Sequence, residues 1–75
     1  MNNSNTTELC SFTHATLRNT VTLYKTETPE FDLFAIIHTD HTNDVEHAYF
    51  FGQNHEVTAR NKFASIIRAI STIPA

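Results

Sequence analysis

The chain has 75 residues and a formal net charge of −3, from eight acids against five bases, with only 17% of residues charged. That length allows one domain, and the acidic balance lacks the basic footprint that nucleic-acid binders carry. A single Cys excludes an internal disulfide, no CxxC pair suggests structural zinc, and no apolar run approaches the ~20 residues that cross a bilayer.

Residues 1–7 are polar and read as a disordered tail ahead of one domain over residues 8–75. They have no apolar stretch of the signal-peptide type. Lone Cys10 suits a reducing, cytoplasmic compartment. Residues 8–17 admit two readings. Leu9, Phe12 and Ala15 have the spacing of a short helix, while Cys10, Phe12 and His14 alternate as a strand does.

Residues 17–26 read as a strand, with Val21 and Leu23 on one face and Thr20, Thr22 and Tyr24 on the other. Twelve Thr in the chain suit pleated surfaces, where β-branching packs well. The stretch Glu27-Thr28-Pro29-Glu30 reads as a turn, because Pro presets the φ of its second position. Residues 31–38 are the most apolar run and form the expected central strand, with large apolar groups on both faces. A polar loop follows at 39–44, and then a strand over 45–51. Gly52, the one Gly, ends that strand and is expected to permit a bend.

Beyond Gly52 the apolar period becomes 3.6. Ala59, Phe63, Ile66, Ile67 and Ile70 line one face of a helix, with Thr58 or Asn54 as its N-cap and Ser71 or Thr72 as its end before Pro74. The fold class is therefore α+β. It is a three-stranded antiparallel meander, four-stranded if the N-terminal element is itself a strand, with one C-terminal helix on one face. The expected helix-side set is Val21, Leu23, Leu33, Ala35 and Ile37, with either Tyr49 and Phe51 or Ala48 and Phe50. The opposite face would then show Tyr24, Phe34, Ile36 and one of Phe50 or Tyr49. Two covers are open for it: the N-terminal segment, with Leu9, Phe12 and Leu17 as a lid, or another protein chain.

No catalytic set competes with that surface. The chain has no G-x-S-x-G, no HExxH and no Gly-rich phosphate loop. Cys10 near His14 lacks the orienting group and electropositive setting a thiolate nucleophile needs. The expectation is that the chain is not an enzyme and has no cofactor. His38, His41 and His47, with Asp40 and Asp44 among them, form the one cluster of metal-ligand type, and it matches no strong signature. The same histidines are candidates for a pH switch, since protonating all five would carry the formal charge from −3 to +2.

If residues 8–16 are helical, the order helix, three strands, helix resembles that of double-stranded-RNA-binding domains, with Arg60-Asn61-Lys62 near the start of the last helix. That resemblance is of element order, and the family's glycines and lysine-rich cluster are missing. In kind, the chain is similar to small, acidic, glycine-poor α+β proteins that dock on one partner, such as phage-encoded inhibitors of host machinery and small accessory subunits. The expectation is a soluble interaction module whose partner is another protein or a second copy of itself. Tyr24, Phe34, Ile36 and Phe50 are its docking residues, and Arg60, Lys62 and Arg68 on the helix form a second surface for an acidic partner.

Overall fold

The computed structural model of the protein describes residues 5–72. Four strands come first, β1 (Asn5–His14), β2 (Asn19–Glu27), β3 (Asp32–Asp40) and β4 (Val45–Phe51), followed by one helix, α1 (Glu56–Ser71). The strands form one antiparallel sheet in the order β1-β2-β3-β4, and α1 lies across one face. The fold is α+β, and the N-terminal element of undecided type is a strand. Residues 5–7, expected as part of a disordered tail, are paired strand, while residues 1–4 of that stretch lie outside the described residues.

Each of the three hairpins closes on four residues. His14 pairs with Asn19, Glu27 with Asp32 and Asp40 with Val45. The first and third loops end on a residue in the left-handed region, Arg18 and Asp44, both at φ 54°. Asp tolerates that conformation, whereas Arg has no such preference. In the middle turn Thr28 does the closing: its N–H donates to Phe31 O at 3.0 Å, and its Oγ1 both donates to that oxygen and accepts from Phe31 N–H.

Loop length decides which face each residue joins. Side chains alternate along a strand, and a four-residue loop makes paired residue numbers sum to an odd value, so odd residues of β2 share a face with even residues of β3. Leu23 therefore stands opposite Ile36, and Ile36 opposite Tyr49. The core under α1 is Val21, Leu23, Phe34, Ile36, Ala59, Ile66 and Ile70, with Leu9, Cys10, Phe12, Leu17, Tyr49, Phe51 and Phe63 packed around it.

This corrects the expected packing of the central strand. Phe34 and Ile36 are buried beneath the helix, and Leu33, Ala35 and Ile37 line the opposite face. The expected set would have needed an odd loop between β2 and β3.

The lid reading is also overturned. Leu9, Phe12 and Leu17 pack on the helix side, so these residues form no lid over the open face. A β-bulge explains how Leu9 gets there. Glu8 pairs with Tyr24 and Cys10 with Leu23, which leaves Leu9 as the extra residue. A bulge re-aims side chains, and here Leu9 and Cys10 both meet the core. The helix-like spacing of Leu9 and Phe12 is the trace of that bulge.

The helix stripe is the expected one, with Ala59, Ile66 and Ile70 buried and Phe63 and Ile67 half-buried. Its N-cap is His55, which makes no side-chain capping bond, so neither Thr58 nor Asn54 caps it. Asn54 takes a left-handed conformation at φ 66°, two residues beyond Gly52, the residue expected to permit a bend or bulge. A Cβ at Gly52 would meet nothing within 4 Å, so packing does not require glycine there.

Candidate docking face

The face away from α1 is a grid fixed by strand register. One row across the sheet reads Thr13, Thr20, Thr39 and Glu46, and the next reads Ser11, Thr22, Ile37 and Ala48. The row beyond is Glu8, Tyr24, Ala35 and Phe50, with Thr6, Thr26 and Leu33 after it. Polarity therefore grades across the sheet. The β1–β2 half is mostly hydroxyl, and the β3–β4 half is mostly hydrocarbon.

The hydroxyl half satisfies itself. Thr6 Oγ1 and Thr26 Oγ1 lie 3.0 Å apart, Ser11 Oγ and Thr22 Oγ1 3.1 Å, and Thr13 Oγ1 and Thr20 Oγ1 3.5 Å. Such cross-strand pairs hold register without needing a cover. The hydrocarbon half has no equivalent. Phe50 is 78% exposed and Leu33 38%, Ala48 is exposed, and Tyr24, Ala35 and Ile37 are half-buried. In the central row, small Ala35 lies between Tyr24 and Phe50. The two aromatic strands are about 10 Å apart, twice the spacing between neighbouring strands. Small Ala35 therefore separates the two aromatic residues along this row.

Of the expected docking residues, Tyr24 and Phe50 share this face, whereas Phe34 and Ile36 are core and cannot meet a partner while the chain is folded. Leu33, Ala35 and Ile37 take their place. The signal that could have found them was the even number of residues in the turn.

The helix cations are largely engaged within the chain. Arg60 Nε donates to Glu56 Oε2 at 2.9 Å, one helical turn away, and Lys62 Nζ lies 4.9 Å above the centre of the Tyr49 ring. Arg68 is exposed in the last turn. The three do not act as one basic surface.

The histidine cluster separates across the sheet. His38 and His47 are cross-strand partners on the helix side, with ring centroids 6.2 Å apart. His41 turns toward the open face, its Nε2 3.2 Å from Thr20 Oγ1. Among the described residues no three metal-ligating groups converge, and the structure does not bring His38, His41 and His47 together. His38 lies within β3 and His41 in the loop beyond it, so nearness in sequence does not place the two rings together.

His38 instead serves the end of the sheet. Its Nε2 lies 2.7 Å from Asn19 Oδ1, and the Asn19 amide donates to Leu17 O at 2.8 Å. Thr42 Oγ1 donates to the same oxygen at 3.4 Å, and His41 N–H to Arg18 O at 2.9 Å, so the first and third loops are tied together. Burial lowers the His38 pKa, the positive charge of His47 lowers it further, and Asp40 opposes both. The Asn43 side-chain amide, helped by backbone N–H donors, holds the Asp40 carboxyl below its ordinary range. These residues border a cleft of about 490 Å³ closed on the helix side by Ile70.

A second cleft, of about 600 Å³, lies between the 28–31 turn and the start of α1. Two of its acids are paired, Asp32 with Lys25 at 3.6 Å and Glu56 with Arg60. No helix of the described residues is long and apolar enough to cross a membrane. Comparison with known protein families, with curated proteins and with solved structures finds no match to the chain.

Proposed function

We propose that the protein is a small interaction module that docks on another protein through the open face of its sheet. The observation that carries this reading is the apolar half of that face. Tyr24, Leu33, Ala35, Ile37, Ala48 and Phe50 adjoin one another across three strands, with hydroxyl groups along one side. A contiguous apolar patch rimmed by polar groups is the usual mark of a protein interface. Tyr24 and Phe50 are the expected anchors, because rigid aromatic rings supply large contact area at low entropic cost. In this reading the module acts as an accessory subunit or as an inhibitor of a larger assembly. The single Cys fits a reducing cytoplasm.

The element order gives no support to the RNA-binding alternative, because residues 5–14 form a strand where that resemblance needed a helix. The pH-responsive alternative retains one supporting observation, the closely placed His38 and His47 rings.

The test is comparative capture. Phe50→Asp and Leu33→Asp alter exposed positions on the face, and Val57→Asp alters an exposed position on the helix. Protein retained by the wild-type chain and by Val57→Asp, and lost by both face variants with unchanged circular dichroism, is the expected result. Equal retention by all four chains would overturn the reading.

A further inference from the structure

The two edges of the sheet are built differently. Edge strand β1 is rich in Thr and Ser and carries the bulge at Leu9, a device that twists an edge away from pairing. Edge strand β4 has no such protection. Over Val45–Phe51 it holds no Lys, Arg, Pro or Gly, its seven pairs with β3 run without a shift, and four of its residues are Val, Tyr or Phe. An edge strand paired without a shift and rich in strand formers is a template for another strand.

We propose that β4 pairs antiparallel with β4 of a second copy, making one eight-stranded sheet about a two-fold axis at Ala48. This concerns the edge of the sheet, not its face, and stands or falls separately from the docking reading. Three features favour a second copy as the occupant. First, centring on Ala48 uses all seven residues: Ala48 meets Ala48 of the second copy, His47 meets Tyr49, Glu46 meets Phe50 and Val45 meets Phe51. Parity is kept, so each face continues across the seam.

Second, no charge meets its like. Glu46 is the one charged residue in β4 with His neutral, and the two copies of Glu46 stand four residues apart along the seam. That is about 13 Å, beyond the ~8 Å screening length at physiological ionic strength. Third, polarity on the open face grades toward β4. Joining two chains there places both hydrocarbon halves at the centre and both hydroxyl halves at the outer edges. Apolar side chains then flank the seam on that face, Ala48 beside Ala48 of the second copy. A seven-residue edge falls short of the roughly 800 Å² per partner of a standard interface, so the dimer is expected to dissociate on dilution.

The experiment is light scattering of the full chain over a concentration series. The expected mass is twice the 8.5 kDa of one chain at high concentration, falling on dilution. Ala48→Lys and Ala48→Glu, at an exposed position, each place like charges directly opposite at the two-fold axis. Each variant alone is expected to be monomeric with an unchanged circular dichroism spectrum, and an equal mixture to recover the dimer. Leu33→Lys, on the face but off the edge, is expected to leave the mass unaltered. As a readout without substitutions, alternate β4 amides of the wild-type chain should exchange more slowly at high concentration than at low. A monomer throughout would overturn the proposal, as would a dimer indifferent to both Ala48 variants or one whose β4 amides ignore concentration. None of these outcomes depends on whether the face has a partner.

Discussion

Two phenylalanines one register position apart show how local identity and position separate. Phe34 is buried under the helix and Phe50 is open to water on the other face. Phe34→Ala is therefore expected to cost about 3–5 kcal/mol, the range for deleting a core aromatic side chain. Phe50→Ala is expected to stay within about 0.5 kcal/mol, as exposed substitutions do. Urea unfolding of the two variants measures the contrast, and similar losses in both would contradict the assigned faces. His38 gives a second prediction. Its folded-state pKa lies below the ordinary 6.5, from burial first and then from His47. Above that value His38 is neutral in both states, and its contribution is fully present. As pH falls below 6.5 the unfolded chain takes the proton first, so stability is lost on acidification. The drop in unfolding midpoint between pH 7.5 and 5.5 should be smaller in His38→Gln than in the wild type. An identical drop would show that His38 is not the group that titrates.

At the scale of elements, the tie between α1 and the edge strand rests partly on Lys62 above the Tyr49 ring. A cation over an aromatic face at a partly exposed site contributes about 0.5–1 kcal/mol. Lys62→Gln is expected to lower stability by that amount, and in the Tyr49→Leu background to lower it by less. Equal losses in both backgrounds would mean the contact is incidental. The start of the helix carries a simpler expectation. Because His55 occupies the N-cap without a side-chain bond, Thr58→Ala should change stability by no more than a few tenths of a kcal/mol, in contrast to the ~1 kcal/mol of a true capping Thr. Thermal melts of the two proteins decide it.

At the scale of the molecule, the described residues span 44 × 25 × 16 Å with a radius of gyration of 13.5 Å. A compact chain of that length would measure about 11 Å. The difference is the shape of a two-layer slab, one sheet and one helix, with none of the described residues behind the sheet. Small domains bury a modest share of their surface and have little stability to spare. A partner seated on the open face, or a second chain on the β4 edge, would raise the melting temperature by mass action. A melting temperature that rises with protein concentration is the expected sign of the paired edge.

The sequence by itself determined the elements that local periodicity can carry. The helix stripe from Ala59 to Ile70, strand β4 to the residue, the class of the fold and the order of the last three strands all follow from spacings of two and 3.6 and from turn residues between them, whereas pairing decided that the N-terminal element is a strand. Tertiary structure decided which side of each strand is inside. Central strand β3 is apolar on both faces, so its own composition is indifferent to a flip. The four-residue turn and the pairing of Leu23 with Ile36 broke that symmetry, burying Phe34 and Ile36 and leaving Leu33, Ala35 and Ile37 outside. The bulge at Leu9 and the separation of His41 from His38 and His47 have the same origin. Facing is a relation between strands, fixed by pairing, and it is carried by no residue alone.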